Sequence, residues 1–322
     1  MTISSYLSAP LVVIVGATGA QGRSVIRALA ESTIAYRMRG FTRDTSKPIA
    51  QDLVKQGVEM VAIDPNPTPE NELRVKSAFE GATYAFAMTI PAMMTSKERE
   101  IAEGKMYVDA AKAANIKLFI WSGLESISAL SGGKYTNAIH FDSKAAVTQY
   151  CKDIGVPSVT VKPAVYMSNY LGSYLSPRKQ PDGSFATVGP VPPESEWFLI
   201  DTDRDFGLFV RKAIELRESG LEISAYGEAT THERIAKTLS EITGKTVTYI
   251  QVPQDQFMKA FIAAGRPEYM AKGVTEMFLS TQEFGWYGNK DVRPSIQGLE
   301  RKPRTWEEFV KAKSAEFNKA LV

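Results

Sequence analysis

The sequence is poor in the residues that build metal centres and disulfide scaffolds. It holds one cysteine, Cys151, in 322 residues, so no intrachain disulfide can form. A reducing compartment fits that count. Two histidines, His140 and His232, and a single thiol do not make a zinc site, and no metal is expected. Charge of either sign is close to balance, with 38 basic and 36 acidic residues and a net charge of +2. That balance gives no general pull toward nucleic acid or an anionic membrane. No helix-turn-helix or basic stripe argues for direct contact with DNA. No apolar run approaches the length of a transmembrane helix. The stretch Met1–Ala9 lacks a basic segment followed by a long apolar one, so it does not read as a secretory leader. Internal repeats and low-complexity tracts are missing as well. With 44% hydrophobic and 23% charged residues, the expectation is a soluble globular protein of the cytoplasm.

What is present is an alternation of strands and helices. Leu11–Val15 is a continuous apolar run, as a parallel strand buried on both faces requires. A helix with Val25, Ile26 and Leu29 on one face follows it. Further strands are read ending near Phe41-Thr42, over Val58–Ile63, from about Thr83 to Thr89, over Leu118–Trp121 and over Val159–Val161. Helices run through Tyr107–Ala111 and from about Ala138 to Ile154. This is the pattern of a doubly wound parallel α/β sheet, a Rossmann domain over residues 1–163. Beyond Pro163 the pattern changes. Residues 164–322 read as a smaller, mostly helical lobe with possible returns to the sheet. Its helical patterns lie at 205–218, 231–243, 254–264 and 267–280, with short strand candidates at Glu222–Ala225 and Val247–Gln251. A last amphipathic helix covers Trp306–Ala320.

The chemistry starts at Gly16-Ala17-Thr18-Gly19-Ala20-Gln21-Gly22, between the first strand and its helix. Gly16 permits the tight turn, Gly19 the approach of a pyrophosphate, and Gly22 close packing of helix on sheet. Helix-start amides and the helix dipole then hold phosphates. The strand–turn–helix context favours a dinucleotide site over a plain glycine turn. At the end of the second strand an acidic residue would bind the ribose 2′-hydroxyl of NAD. Here the sequence reads Thr42-Arg43-Asp44-Thr45-Ser46-Lys47. Arg43 pairs with a 2′-phosphate, with Thr42 and Lys47 as further donors, so NADP(H) is the expected cofactor. Asp44, turned inward, would favour NAD instead. Other strand ends line the same crevice: Asp64, Thr89, Pro91, Ser122, Gly123, Pro163, Val165, Tyr166 and nearby Asn169.

Several stretches together resemble the NmrA-like family of atypical short-chain dehydrogenase/reductases along nearly the whole chain. They are the GATGAQG loop, the Thr42-Arg43 strand end, WSGLESI at 121–127, HFDSK at 140–144, KPAVYMSNYL at 162–171 and HERIAKTLSEITGKTVTYIQVP at 232–253. The nearest likeness is to the NADPH-binding redox-sensor branch and its fungal relatives. The resemblance implies a Rossmann fold, NADP binding and cytoplasmic or nuclear residence. It covers both regulators without turnover and true reductases.

The same resemblance frames the catalytic question. Dehydrogenases of this superfamily carry Tyr-x-x-x-Lys on one helix, where tyrosine moves the proton and lysine binds the ribose. Here the pair is His140 and Lys144, and the tyrosine is missing. Three readings stand. His140 replaces the tyrosine as acid; Lys144 acts alone, as likeness to the isoflavone-reductase branch suggests; or Lys144 only clamps the ribose. Phe141, Tyr166, Tyr170, Tyr174, Phe185, Trp197 and Phe198 either line a pocket for an apolar or aromatic metabolite or form lobe core. Met258, Met270 and Met277 read as core filling. The expected partner is thus a small-molecule substrate, for an NADPH-dependent oxidoreductase, or a regulatory protein, for a redox sensor. The chain itself is a monomer or homodimer. Asp201-x-Asp203-x-Asp205 mimics a calcium loop but has Phe206 where glycine is required, and Asp203 or Asp205 is expected to cap the next helix.

Gly19→Val should abolish binding of NADP and NAD alike while leaving circular dichroism unchanged. Retained binding in a folded variant would reduce the loop to a turn.

Overall fold

The structure is a computed structural model that describes residues 3–322; Met1 and Thr2, the start of the stretch read for a leader, lie outside the described residues. In chain order come β1 (Leu11–Ile14), α1 (Ala20–Ala30), β2 (Arg37–Thr42), α2 (Pro48–Lys55), β3 (Glu59–Ala62), α3 (Pro69–Phe79) and β4 (Tyr84–Ala87). A 3-10 turn, Ala92–Met94, precedes α4 (Lys97–Ala113), β5 (Leu118–Ser122), α5 (Ile127–Leu130), α6 (Ile139–Asp153) and β6 (Ser158–Pro163). After these come β7 (Val165–Tyr166), β8 (Arg178–Lys179), β9 (Phe185–Gly189), β10 (Glu196–Ile200), α7 (Thr202–Leu216), β11 (Glu222–Ala225) and β12 (Glu228–Thr231). The chain ends with α8 (His232–Thr243), β13 (Val247–Gln251), α9 (Gln254–Ala263), α10 (Glu268–Phe284), α11 (Arg293–Ile296), α12 (Trp306–Ala312) and α13 (Ser314–Ala320).

The central sheet has the order β3-β2-β1-β4-β5-β6-β11, every neighbour parallel. It is a doubly wound Rossmann-like sheet. β1 and β4 sit side by side where the winding reverses, and the crevice above their carboxyl ends is where such sheets bind ligands. The apolar run of β1 is explained by its place in mid-sheet, with all four residues buried. The second half of the chain does return to the sheet: β11 is its edge strand, and α7 packs along α1. That contact is tight enough to need Gly207, where a Cβ would meet the Val25 amide nitrogen at 2.7 Å and collide with the Ser24 carbonyl. The Gly207 amide also donates to Ser24 Oγ at 2.9 Å.

The C-terminal part is helical, with two small three-stranded sheets, β12-β10-β7 and β13-β9-β8. β7 to β10 lie in the proline- and aromatic-rich stretch that carried no strand expectation, because short strands broken by proline show no periodicity. The expected final helix is two helices, broken at Lys313. The expected cap at Asp203 or Asp205 is also corrected. The cap position is Asp201, without a side-chain capping bond, and the three aspartates face arginines instead. Asp201 pairs with Arg304, Asp203 with Arg23, and Asp205 with Arg204.

The aromatic residues resolve in favour of core. Phe141, Tyr170, Phe185, Trp197 and Phe198 are buried. Trp197 stacks on Phe278 at 4.8 Å, Phe141 meets Trp286 edge-on at 5.2 Å, and Tyr170 packs on Trp306 at 4.9 Å. These five belong to the hydrophobic core, while Tyr166 and Tyr174 are partly exposed. Met277 is buried and Met258 and Met270 pack on the same core, as expected. At the sheet edge, buried Lys162 bridges Glu125 at 2.6 Å and Glu222 at 2.7 Å, and Lys290 joins both. Against the upward push of burial, these lysines hold the Glu222 carboxyl down to about 2. Among the described residues no helix is long and apolar enough to cross a membrane.

His232 lies in this aromatic core, stacked on Tyr249 at 4.7 Å and beside Trp197, with Nε2 buried and unpartnered. Burial pushes its imidazole down from 6.5 to about 4. Between those values the unfolded chain binds more protons than the folded one, so stability falls as pH drops through that window. His232→Phe should reduce this loss, measured as urea unfolding between pH 7 and pH 4. It should not abolish it, since His140 is shifted the same way. An unchanged pH dependence would contradict the buried neutral imidazole.

Candidate functional site

The phosphate loop is shaped by one close approach. Gly16 has φ of +69°, a left-handed turn that glycine makes without strain. A Cβ at Gly22 would collide with the Gly16 carbonyl oxygen and meet Ala17 Cα at 2.7 Å. α1 is thereby seated directly on the turn after β1. Gly19 is its N-cap, extended and without a side chain to bond the first-turn amides, so among the described residues no side chain caps this helix start. Such amides suit an anion. Ala20, Gln21 and Gly22 supply this first turn.

A cleft of about 270 Å³ opens over the β1/β4 switch point. Gly16, Thr18, Gly19, Thr42, Arg43, Lys47 and Thr89 all line it. Thr18 and Thr42 place their hydroxyls 3.4 Å apart across it. Arg43 and Lys47 stand at its rim, and neither makes an ion pair among the described residues. Asp44 is on the same rim, but its Oδ1 is occupied locally. It accepts the Ser46 amide at 2.9 Å and the Ser46 hydroxyl at 2.6 Å, and these bonds hold the carboxyl below the usual range. Asp64 is exposed at the β3 end and accepts the Asn66 amide at 3.0 Å, while its neighbours Ile63 and Pro65 line the cleft.

The remaining expected residues lie on the far side of Thr89. Lys144, on α6, is buried and donates to Thr89 Oγ1 at 2.9 Å. It also pairs with Glu100 Oε1 at 2.9 Å. Glu100 accepts the Thr89 hydroxyl at 2.8 Å and the Ala92 amide at 2.7 Å. The lysine is thus pinned at the β4 end by a carboxylate that is fully buried. Trp121 closes this cluster, its indole donating to the Lys144 carbonyl at 3.0 Å and its ring lying 5.4 Å from the ammonium. Ser122 and Gly123 follow on β5. A Cβ at Gly123 would meet Trp121 at 3.0 Å and Thr148 at 3.1 Å, so this glycine serves packing. His140 begins α6 one turn before Lys144 and is partly exposed. Burial, with the Lys144 charge, holds its imidazole well below the ordinary histidine value.

At the other end of the crevice, Pro163 and Val165 are buried. Tyr166 receives a hydrogen bond from Gln21 Nε2 at 2.7 Å, which joins the phosphate loop to β7. Burial pushes the Tyr166 hydroxyl up to about 12. Asn169 is held by its carbonyl, which accepts Ser173 Oγ at 2.7 Å. Pro91 starts the turn that packs over α6.

Two acidic residues were not singled out by the sequence reading. Glu100 and Glu103 belong to the alternating acids and bases of α4, where charge ordinarily means a solvated face. Both are buried. The signal available was their position one turn into the helix that follows the β4 end.

A model of the NmrA-like family matches residues 8–310 of the chain. The chain is 30% identical over 296 residues to the NmrA-like family domain-containing oxidoreductase cpsB of Aspergillus campestris, covering 83% of this chain and 81% of that one. It is 26% identical over 320 residues to the NAD(P)H azoreductase of Xenophilus azovorans, covering 96% and 100%. The crystal structure of NmrA, a negative transcriptional regulator, in complex with NADP superposes with a TM-score of 0.77 over 97% of each chain at 22% identity. The last likeness is one of fold. With the family model and the cpsB relative, the chain belongs to the NmrA-like family.

Proposed function

We propose that this chain is an NADP(H)-dependent oxidoreductase that reduces a small apolar acceptor. The observation that carries the cofactor part is the rim of the cleft: Arg43 and Lys47, without an ion pair among the described residues, stand beside a glycine cradle, and Asp44 is engaged by Ser46. The relatives' names, an NAD(P)H azoreductase and an oxidoreductase, support the same class. Bound NADPH supplies a hydride. The chain's residues do the rest. The phosphate loop orients the pyrophosphate. Arg43 selects the 2′-phosphate through a charge-assisted contact. Lys144, held at Thr89 by Glu100, is assigned to the ribose and acceptor end. Its ammonium is the proton-bearing group assigned to the reduced acceptor. His140 is neutral across physiological pH because of its depressed imidazole, which favours the lysine-only mechanism over histidine as acid. Met93, packed on the core, and exposed Met94 give the covering turn an apolar character.

A second reading, a redox sensor without turnover, draws support from the Gln21–Tyr166 bond. It ties the phosphate loop to β7, and a dinucleotide that favoured a state without this bond would turn cofactor occupancy into a change of structure.

Two measurements test these readings. In calorimetry NADPH should bind more tightly than NADH, and Arg43→Ala should weaken NADPH by roughly 1.5–3 kcal/mol while sparing NADH. Equal affinities unaffected by the substitution would defeat the selection by Arg43. In NADPH oxidation with a panel of quinones, enones and azo dyes, Lys144→Met should lower turnover by about 10²–10⁴-fold and His140→Phe only slightly. The reverse order would restore histidine as the acid. A barren panel with an NADPH-dependent change in light scattering would favour the sensor.

A further inference from the structure

Phe41, Ile63, Met88 and Ile90 give the cleft apolar walls, and two polar groups from α4 also line it. Glu103 and Tyr107 lie one turn apart on that helix, both buried and both lining the cleft. The Tyr107 hydroxyl donates to Glu103 Oε1 at 3.4 Å. Glu103 Oε2 is buried without any partner among the described residues. A buried carboxyl oxygen with no bond is an exception that calls for a ligand. The groups that line the cleft suit the parts of a dinucleotide. The glycine loop holds the pyrophosphate, the Arg43–Lys47 rim the ribose phosphate, and the apolar slot beyond them a flat ring with a polar edge.

We propose that Glu103 reads the base of the dinucleotide, its free carboxyl oxygen hydrogen-bonding the N1/N6 edge of adenine between apolar walls. The proposal rests on the NADP(H) reading of this cleft. It explains why an acid is tolerated at the end of an otherwise apolar slot. Tyr107 holds one oxygen, and the other is buried without a partner among the described residues. Burial pushes the Glu103 carboxyl up to about 8, opposed by the Ile90 amide, Lys144 from α6 and Arg99, and aided by Glu100. Asp64 faces the neighbouring Tyr107 from the β3 end. The group is therefore largely a neutral acid at physiological pH. Its free oxygen then carries an O–H that donates to the ring nitrogen.

The test compares NADPH with its 1,N6-etheno derivative, in which that edge of adenine is capped, by fluorescence titration. Wild type should prefer NADPH by roughly tenfold, the size of one good hydrogen bond. Glu103→Leu, similar in size but apolar, should lose that preference by weakening NADPH alone. Glu103→Gln, which keeps a donor beside an acceptor, should retain it. The wild-type preference should fade as pH rises through about 8, the value to which burial lifts this carboxyl, and that of Glu103→Gln should stay flat. An equal loss of both dinucleotides in Glu103→Leu, or no wild-type preference, would overturn the role of Glu103 while leaving the cofactor reading intact. Failure of folded wild type to bind either one would overturn both. If Glu103→Leu does not fold, the wild-type preference and the two pH profiles decide.

Discussion

The absence of a side chain at Gly22 is the constraint on which the site depends. Because α1 rests on the Gly16 carbonyl, the helix start sits directly over the end of β1, and its first amides open into the crevice. α1 is in turn clasped by α7 through Gly207, so the turn is fixed from both sides. Arg23 adds to this clasp. It bonds the Thr18 carbonyl at 3.0 Å within the loop and Asp203 of α7 at 2.6 Å. A loop held by backbone contacts on one side and a packed helix on the other is preorganised for a diphosphate, which lowers the ordering cost of binding.

From that fixed loop the cleft divides at Thr89. On one side it is lined by Arg43, Lys47 and Glu103. On the other lies Lys144, pinned by Glu100. The Thr89 side chain belongs to both, lining the cleft and bonding the lysine and Glu100. The two halves are therefore not independent. A ligand that moves Thr89 also moves the donor set of Lys144. Such coupling serves a reductase, by aligning the proton-bearing group once the dinucleotide is seated. It serves a sensor equally well, by passing cofactor occupancy to the turn at Ala92–Met94.

Much of this was legible in the sequence. β1, β4 and β5 are buried on both faces and read as unbroken apolar runs, and the glycine loop has a spacing with few alternative uses. The ends of β2 and β4 brought with them Thr42, Arg43 and Thr89. α2 and α3 left weaker traces, since each starts at a proline and buries only a few residues. The strands between 165 and 200 were hidden by proline and by their length. The aromatic residues misled for a physical reason. A sequence shows that Trp197 and Phe141 want burial, but not whether protein or ligand covers them. Here other rings do, among them Phe278 and Trp286. Glu100 and Glu103 were lost in the charge pattern of α4, because the Glu100–Lys144 pair, formed three elements apart in the chain, leaves no local mark.

The central claim is that one cleft holds NADPH from the 2′-phosphate to the nicotinamide ribose. A crystal structure with NADPH bound tests it most directly. The account predicts the 2′-phosphate on Arg43, the pyrophosphate on the amides after Gly19, the adenine edge at Glu103 and Lys144 Nζ within hydrogen-bond reach of the nicotinamide ribose. A cofactor with its 2′-phosphate turned to solvent and its ribose away from Lys144 would contradict it.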